Sequence, residues 1–291
     1  MKKHPSWIRK NVRGNREKYT QVKKILKKQQ LHTVCQEAQC PNLGECWGCG
    51  SVTFMILGDA CTRSCNFCAV KAQPLLPPDP GEPVRLATAI QEMELHYVVL
   101  TSVTRDDLPD QGSSHYAQCI QTIKARNPDV IVEALIPGFQ GKRKYLHIVV
   151  NTEPEVIGHN VETVKRLQTE VRDPRASYEQ SLKVLETINS LDADIYTKSS
   201  LMLGLGETEQ EVLQAMDDLR EVDVDVLTLG QYLRPTKQHL EVHEYIPPEK
   251  FTYYQERAQE KGFLYAVSDP FVRSSYKSAE FFMNEILSNR K

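Results

Sequence analysis

Val52-Thr-Phe-Met-Ile-Leu-Gly58-Asp-Ala-Cys61-Thr-Arg-Ser-Cys65-Asn-Phe-Cys68 is the stretch on which the fold turns. A short run of apolar, β-branched and aromatic residues ended by glycine reads as a strand buried on both faces. Three cysteines with CxxxCxxC spacing follow in the loop at its C-terminal end. In barrels of parallel strands that end carries the chemistry. Three thiolates on one short loop can wrap three corners of a four-iron cluster and leave the fourth iron open. Zinc is the competing reading, yet it takes four ligands and the motif offers no fourth.

Downstream, apolar runs at residues 97–101, 130–135, 156–159, 195–203 and 226–231 alternate with amphipathic stretches at 86–93, 114–125, 142–149, 177–189 and 209–221. Six strand–helix repeats of this kind predict an α/β protein, a partial (β/α)6 TIM-like barrel with N- and C-terminal extensions. Residues 73–83 hold five prolines and one glycine and read as a stiff loop. A helix at 248–261 opens on a proline pair and stops at Gly262, followed by a short strand at 263–267 and a helix at 278–288. The expected division is 1–50 as N-terminal extension, 51–245 as barrel and 246–291 as C-terminal extension.

The chain has 291 residues, a formal charge of −2 and 40% hydrophobic residues, enough for one large domain. Apolar runs are too short for a membrane span, and no charged start leads into an apolar signal core, so the expected location is the cytoplasm. The first thirty residues set eleven lysines and arginines against one acid, Glu17. Such an arm is an organelle address, a nucleic-acid arm, a dock for an acidic protein or a solvated tail. No aromatic residues interleave with the bases as in an RNA-binding sheet, so nucleic acid is not expected.

Seven of the eight cysteines lie between Cys35 and Cys68. Clustered thiols in a mid-sized chain with no secretion signal read as metal ligands, not as a disulfide scaffold. Cys35, Cys40 and Cys46 form a second trio. Its irregular spacing also suits structural zinc, with His32 as a further ligand.

CxxxCxxC with Phe67 before the last cysteine resembles the signature of the radical S-adenosylmethionine superfamily. Within it, Thr33-Val-Cys-Gln-Glu-Ala-Gln-Cys-Pro-Asn-Leu-Gly-Glu-Cys-Trp47 closely resembles the lipoyl synthase family. So do residues 53–58, 61–70, 98–108, 157–160, 197–208, 227–235 and 271–276, in order along nearly the whole chain. The resemblance implies two 4Fe–4S clusters and S-adenosylmethionine as cofactors. Cys61, Cys65 and Cys68 would hold the radical-generating cluster. Cys35, Cys40 and Cys46 would hold an auxiliary cluster, with Ser275 of Arg-Ser-Ser-Tyr276 as fourth ligand and Ser274 the adjacent alternative. It further implies insertion of two sulfur atoms, at carbons 6 and 8 of a protein-bound octanoyl chain. The implied partners are octanoylated carrier domains (a 2-oxoacid dehydrogenase E2 or a glycine cleavage H protein), a ferredoxin- or flavodoxin-type reductant and an iron–sulfur carrier.

Other positions carry two readings each. Thr101 and Ser102 end the second strand, where the superfamily binds the methionine moiety; alternatively they cap it. Gly204 and Glu207 follow the fifth strand, where the superfamily contacts adenosine, but Thr208-Glu-Gln-Glu211 also reads as a capping box. His159 and Asn160 end the fourth strand, and Lys198 is a charge inside an apolar strand that needs a partner or a cavity. These are assigned to the cofactor or substrate pocket or to structure. Cys119 reads as a small buried residue and Cys49 as a spare thiol. Where the family has Pro-Asp-Phe, this chain has Pro137-Gly138-Phe139. The family's glycine shortly after the cysteine motif is likewise absent from Val70-Lys-Ala-Gln-Pro74.

Overall fold

The computed structural model describes residues 4–8, 14–72 and 74–276. The helix expected at 278–288 lies outside the described residues. Eight strands form one sheet in the order of the chain: β1 (His32–Thr33), β2 (Thr53–Ile56), β3 (Tyr97–Ser102), β4 (Ile131–Leu135), β5 (Val156–Gly158), β6 (Tyr196–Leu203), β7 (Val226–Gln231) and β8 (Tyr265–Ser268). β1 runs antiparallel to β2, and β2 to β8 are all parallel. The helices are α1 (Arg16–Lys28), α2 (Val34–Glu37), α3 (Leu43–Gly48), α4 (Glu82–Glu92), α5 (Ser113–Arg126), α6 (Arg143–Val150), α7 (Gln168–Val171), α8 (Tyr178–Leu191), α9 (Glu209–Glu221) and α10 (Pro248–Glu260). The chain is thus an open (β/α) barrel. Among the described residues no helix is long and apolar enough to cross a membrane.

Three details differ from the sequence expectation. The strand expected at 263–267 does not stand apart from the barrel: as β8 it pairs with β7 from Val226↔Tyr265 to Leu229↔Ser268, a seventh parallel strand reached through α10. The supposed loop at 73–83 ends in α4, which has Pro83 in its first turn, where a missing N–H costs nothing. The N-terminal extension contributes β1, whose two residues fix it to Phe54 and Met55.

The apolar core packs around the strands in two main clusters. β2 to β5 pack with α1 and α4 to α6 in one cluster centred on Leu86, Ile90, Leu100 and Ile120. β6 to β8 pack with α8 to α10 around Leu201, Leu219, Leu229 and Phe251 in another. Strand alternation puts Thr53, Met55, Thr101, Leu135, Ser200 and Met202 on one face, and all six border a cavity. By the same parity Tyr97, Glu133 and Lys198 share that face nearer the N-terminal strand ends. There Tyr97 donates to Glu133 (2.5 Å) and Lys198 Nζ pairs with both Glu133 oxygens at 2.8 and 3.1 Å. A buried ionic layer therefore floors the barrel beneath the cavity.

Candidate active site

The trio Cys35, Cys40 and Cys46 is shaped by local structure. Thr33 caps α2, accepting from the Gln36 amide. Cys35 sits in α2 and is buried, while Cys46 lies in α3. The turn between them returns the Cys40 amide to the Cys35 carbonyl (3.0 Å). Trp47, 1% exposed, packs on Tyr19 of α1 with ring centres 5.3 Å apart. Burial pushes the Cys35 thiol up, opposed by the Thr53 amide N–H and, to a smaller degree, by the Trp47 indole. That indole N–H is buried and makes no hydrogen bond of ordinary geometry.

The trio Cys61, Cys65 and Cys68 hangs from the end of β2. Leu57 and Gly58 turn the chain with φ of 68° and 90°. Glu82 secures the corner by accepting from the Leu57 amide (2.9 Å), and His115 meets the same carboxylate oxygen at 2.7 Å. The Cys61 sulfur accepts from the Arg63 and Thr104 amides at 3.4 and 3.3 Å, and the Cys65 sulfur from the Asp173 amide at 3.3 Å. Arg63 is buried in a two-bond pair with Asp106 (2.9 and 3.1 Å). Burial pushes the Cys68 thiol up to about 12. His239 meets the Cys68 carbonyl at 2.9 Å.

Residues 269–276 close the site from the far end of the chain. Asn42 donates to the Phe271 carbonyl (2.7 Å), and Tyr276 donates to Glu45 (3.2 Å to either oxygen). The Arg273 guanidinium is buried, donates to the Val272 carbonyl at 2.6 Å, and lies within electrostatic reach of Cys40. Gly230 admits this segment: a Cβ there would come within 2.0 Å of the Val272 carbonyl oxygen. Ser275 Oγ accepts from Thr53 Oγ1 at 2.9 Å.

All six trio cysteines, with Ser274 and Ser275, line one cavity of about 540 Å³. Phe67, Thr101, Ser102, His159 and Asn160 line it too. His159 is fully enclosed. Its Nδ1 lies 3.0 Å from the Ile136 carbonyl, which can only accept, so Nδ1 carries the proton and Nε2 accepts from Ser181 at 3.1 Å. Burial and then the neighbouring Arg172 charge hold its pKa down at about 3.

Three expected pocket residues do not reach the cavity. Lys198 points to the right face but two residues too deep, and its charge is spent on Glu133. Glu207 folds back to accept from the Gly204 and Leu205 amides at 2.5 and 2.9 Å. Gly204 packs where a Cβ would meet Gln231 Nε2 at 2.2 Å. The capping-box reading holds alongside, with Thr208 and Glu211 bonded reciprocally at the start of α9. His32 lies 3.7 Å from Glu37 and outside the cavity. At Gly138 φ is +86°, and a Cβ would come within 2.6 Å of the His159 ring. Glycine there gives the imidazole its room.

Several lining residues escaped the sequence reading: Thr53, Arg63, Glu162, Arg172 and Arg273. Burial raises the Glu162 carboxyl, with the Arg172 charge opposing. The available signal was a charge beside Asn160 in a buried stretch; its partner, ten residues on, is joined to it only by the fold.

The donor sets bear on which metal groups the residues suit. Among the described residues only Glu82, His115 and Cys119 bring three ligand atoms within 4.8 Å of one another. Neither cysteine trio does. Each trio offers three thiolates, the donor type that holds an iron–sulfur cluster. Backbone N–H groups aimed at sulfur and the orphaned Trp47 indole fit the same kind of group. Glu82 is already engaged by Leu57 and His115, and Cys119 is fully buried, so that third group reads as a brace for the corner.

The Radical SAM superfamily model matches residues 55–219. Over 295 aligned residues the chain is 50% identical to lipoyl synthase of Halobacterium salinarum, covering 100% of this chain and 94% of that one. The chain belongs to the lipoyl synthase family. It is also 53% identical to the apicoplast lipoyl synthase of Plasmodium vivax, over 99% of its own length; it spans 65% of that longer relative. Among solved structures, the FeFe-hydrogenase maturase HydG of Carboxydothermus hydrogenoformans superposes with a TM-score of 0.55 at 14% identity, covering 95% of this chain and 79% of that one. That likeness speaks to the fold alone.

Proposed function

We propose that this chain is a lipoyl synthase, inserting sulfur at carbons 6 and 8 of an octanoyl chain held on a lysine of a carrier domain. The observation that carries the reading is the single cavity bordered by both cysteine trios and Ser275. When bound, a cluster on Cys61, Cys65 and Cys68 with S-adenosylmethionine would supply a carbon radical able to take hydrogen from an unactivated carbon, and a cluster on Cys35, Cys40, Cys46 and Ser275 would supply the sulfur. The protein's part is position and dryness. The Arg63, Thr104 and Asp173 amides donate to the Cys61 and Cys65 sulfurs and orient them. Glu162 and Arg172 offer one carboxylate and one guanidinium to a zwitterionic cofactor, as Thr101, Ser102, His159 and Asn160 offer polar edges. Met55, Leu135, Ile136 and Met202 supply an apolar wall suited to an alkyl chain. Ser275 offers a hard oxygen, a poorer partner for iron than thiolate, as suits a cluster given up in the reaction.

The reading includes an octanoylated E2 or H-protein domain as substrate, a ferredoxin- or flavodoxin-type reductant, and an iron–sulfur carrier that restores the auxiliary cluster. A reducing compartment such as the cytoplasm suits eight cysteines that are all free thiols. The test is mass spectrometry of an octanoyl-lysyl peptide after anaerobic incubation with the iron-loaded protein, S-adenosylmethionine and dithionite. Two added sulfurs with release of 5′-deoxyadenosine are expected. An unchanged peptide alongside 5′-deoxyadenosine would retain the radical chemistry and overturn the substrate.

A further inference from the structure

Thr53 opens β2, is 5% exposed, and touches two of the four proposed ligands of the auxiliary centre from one residue. Its amide N–H bears on the Cys35 sulfur. Its hydroxyl donates to Ser275 Oγ at 2.9 Å across 222 positions of sequence. We propose that Thr53 is a positioning residue for the auxiliary centre, holding Ser275 Oγ at the iron-binding position in register with Cys35. The inference rests on the reading of Ser275 as the fourth ligand.

Chemistry fixes the direction of that hydrogen bond. A serine oxygen bound to iron has given up its proton and can only accept, so its protein partner must be a donor. Threonine offers one O–H from a β-branched side chain with few rotamers, set on a strand pinned on both sides by β1 and β3. The other ties on residues 269–276 do not involve Thr53: Asn42 holds Phe271, Glu45 holds Tyr276, and Arg273 bonds to neighbouring carbonyls. Loss of the Thr53 hydroxyl therefore leaves the segment seated but frees the Ser275 rotamer. A serine swung away from the cluster exposes its iron to solvent and chelator.

The experiment compares the reconstituted protein with Thr53→Val, Thr53→Ser and Ser275→Ala, with near-ultraviolet circular dichroism confirming that each is folded. Two readouts are taken: the Mössbauer signature of an oxygen-ligated iron in the auxiliary cluster, and the rate at which a chelator removes one iron. Thr53→Val is expected to weaken that signature and speed iron loss about tenfold, as removal of one hydrogen bond to a charged oxygen implies. Thr53→Ser, which keeps the hydroxyl, is expected to behave as the parent. If the valine does not fold, Thr53→Ala removes the same hydroxyl at smaller volume. A parental signature and rate in the hydroxyl-free variant, with both altered in Ser275→Ala, would overturn the role of Thr53 and leave Ser275 as ligand. A parental signature in Ser275→Ala would overturn the ligand reading itself.

Discussion

His159 is buried among polar partners that suit its neutral form. Its pKa is held at about 3 in the fold against 6.5 for a free histidine, so the unfolded chain takes up a proton first as pH falls. The associated stability is fully present above about pH 6.5 and is lost as pH drops toward about 3, at up to ~1.4 kcal/mol per pH unit. Urea unfolding of the metal-free protein at pH 7.5, 6 and 5 measures that slope. His159→Gln keeps a donor and an acceptor without the titration and should flatten it. Glu133→Ala should be severe, costing about 3–5 kcal/mol in the same assay, because it removes the buried carboxylate that pairs with the Lys198 ammonium in the barrel floor. The cysteines divide similarly: Cys40→Ala should remove about half of the cluster iron, whereas Cys119→Ala and Cys49→Ser should leave iron and sulfide content unchanged. Residues near one another in sequence were legible at this scale. The CxxxCxxC loop announces its chemistry in eight positions. Lys198 did not, since Glu133 stands 65 positions away and strand parity says which face a side chain takes, not how deep it lies.

Helix α9 shows what an element owes to its ends. Its expected and observed spans coincide at Glu209–Glu221, because Thr208 and Glu211 satisfy each other's backbone donors at the start. Thr208→Ala should lower stability by about 1 kcal/mol, read as a shifted denaturant midpoint with unchanged slope. Elements governed by local capping and periodicity were readable from sequence. α4 was partly misread, since Pro83 looks like a breaker when its place in the first turn is unknown. β8 was recognised as a strand but not as part of the barrel; only pairing with β7 makes it so.

At the scale of the molecule, residues 34–46 and 272–276 converge on the mouth of the barrel. α1 packs against α3, which carries Cys46, and turns Lys23, Lys24 and Lys27 to solvent. An acidic carrier domain approaching the cavity would meet that positive face. Replacing these three lysines by glutamine should slow carrier association several-fold at low salt and flatten its salt dependence. Stopped-flow association at two ionic strengths measures both, and identical rates and slopes would end the idea. The sequence motifs named the six trio cysteines and Ser275, all of which line the cavity. They were silent on how Asn42, Glu45 and Gly230 seat residues 269–276 there, because a side-chain contact across 229 positions leaves no local pattern.

That seating has a consequence in time. A chain leaves the ribosome from its N-terminus, so Cys35, Cys40 and Cys46 emerge early, while the serine opposite them is among the later arrivals. Cys61, Cys65 and Cys68 share one loop whose anchoring residues, Thr104 and Asp173, precede β6. Their binding site can be finished while synthesis continues. The proposed auxiliary site, with Ser275 as its fourth ligand, would not be finished until β8 has docked and Ser275 reaches Thr53, a closure over 222 positions. On the proposed ligand assignment the two centres would have a built-in birth order, with the later one the more exposed to interruption by truncation or slow maturation.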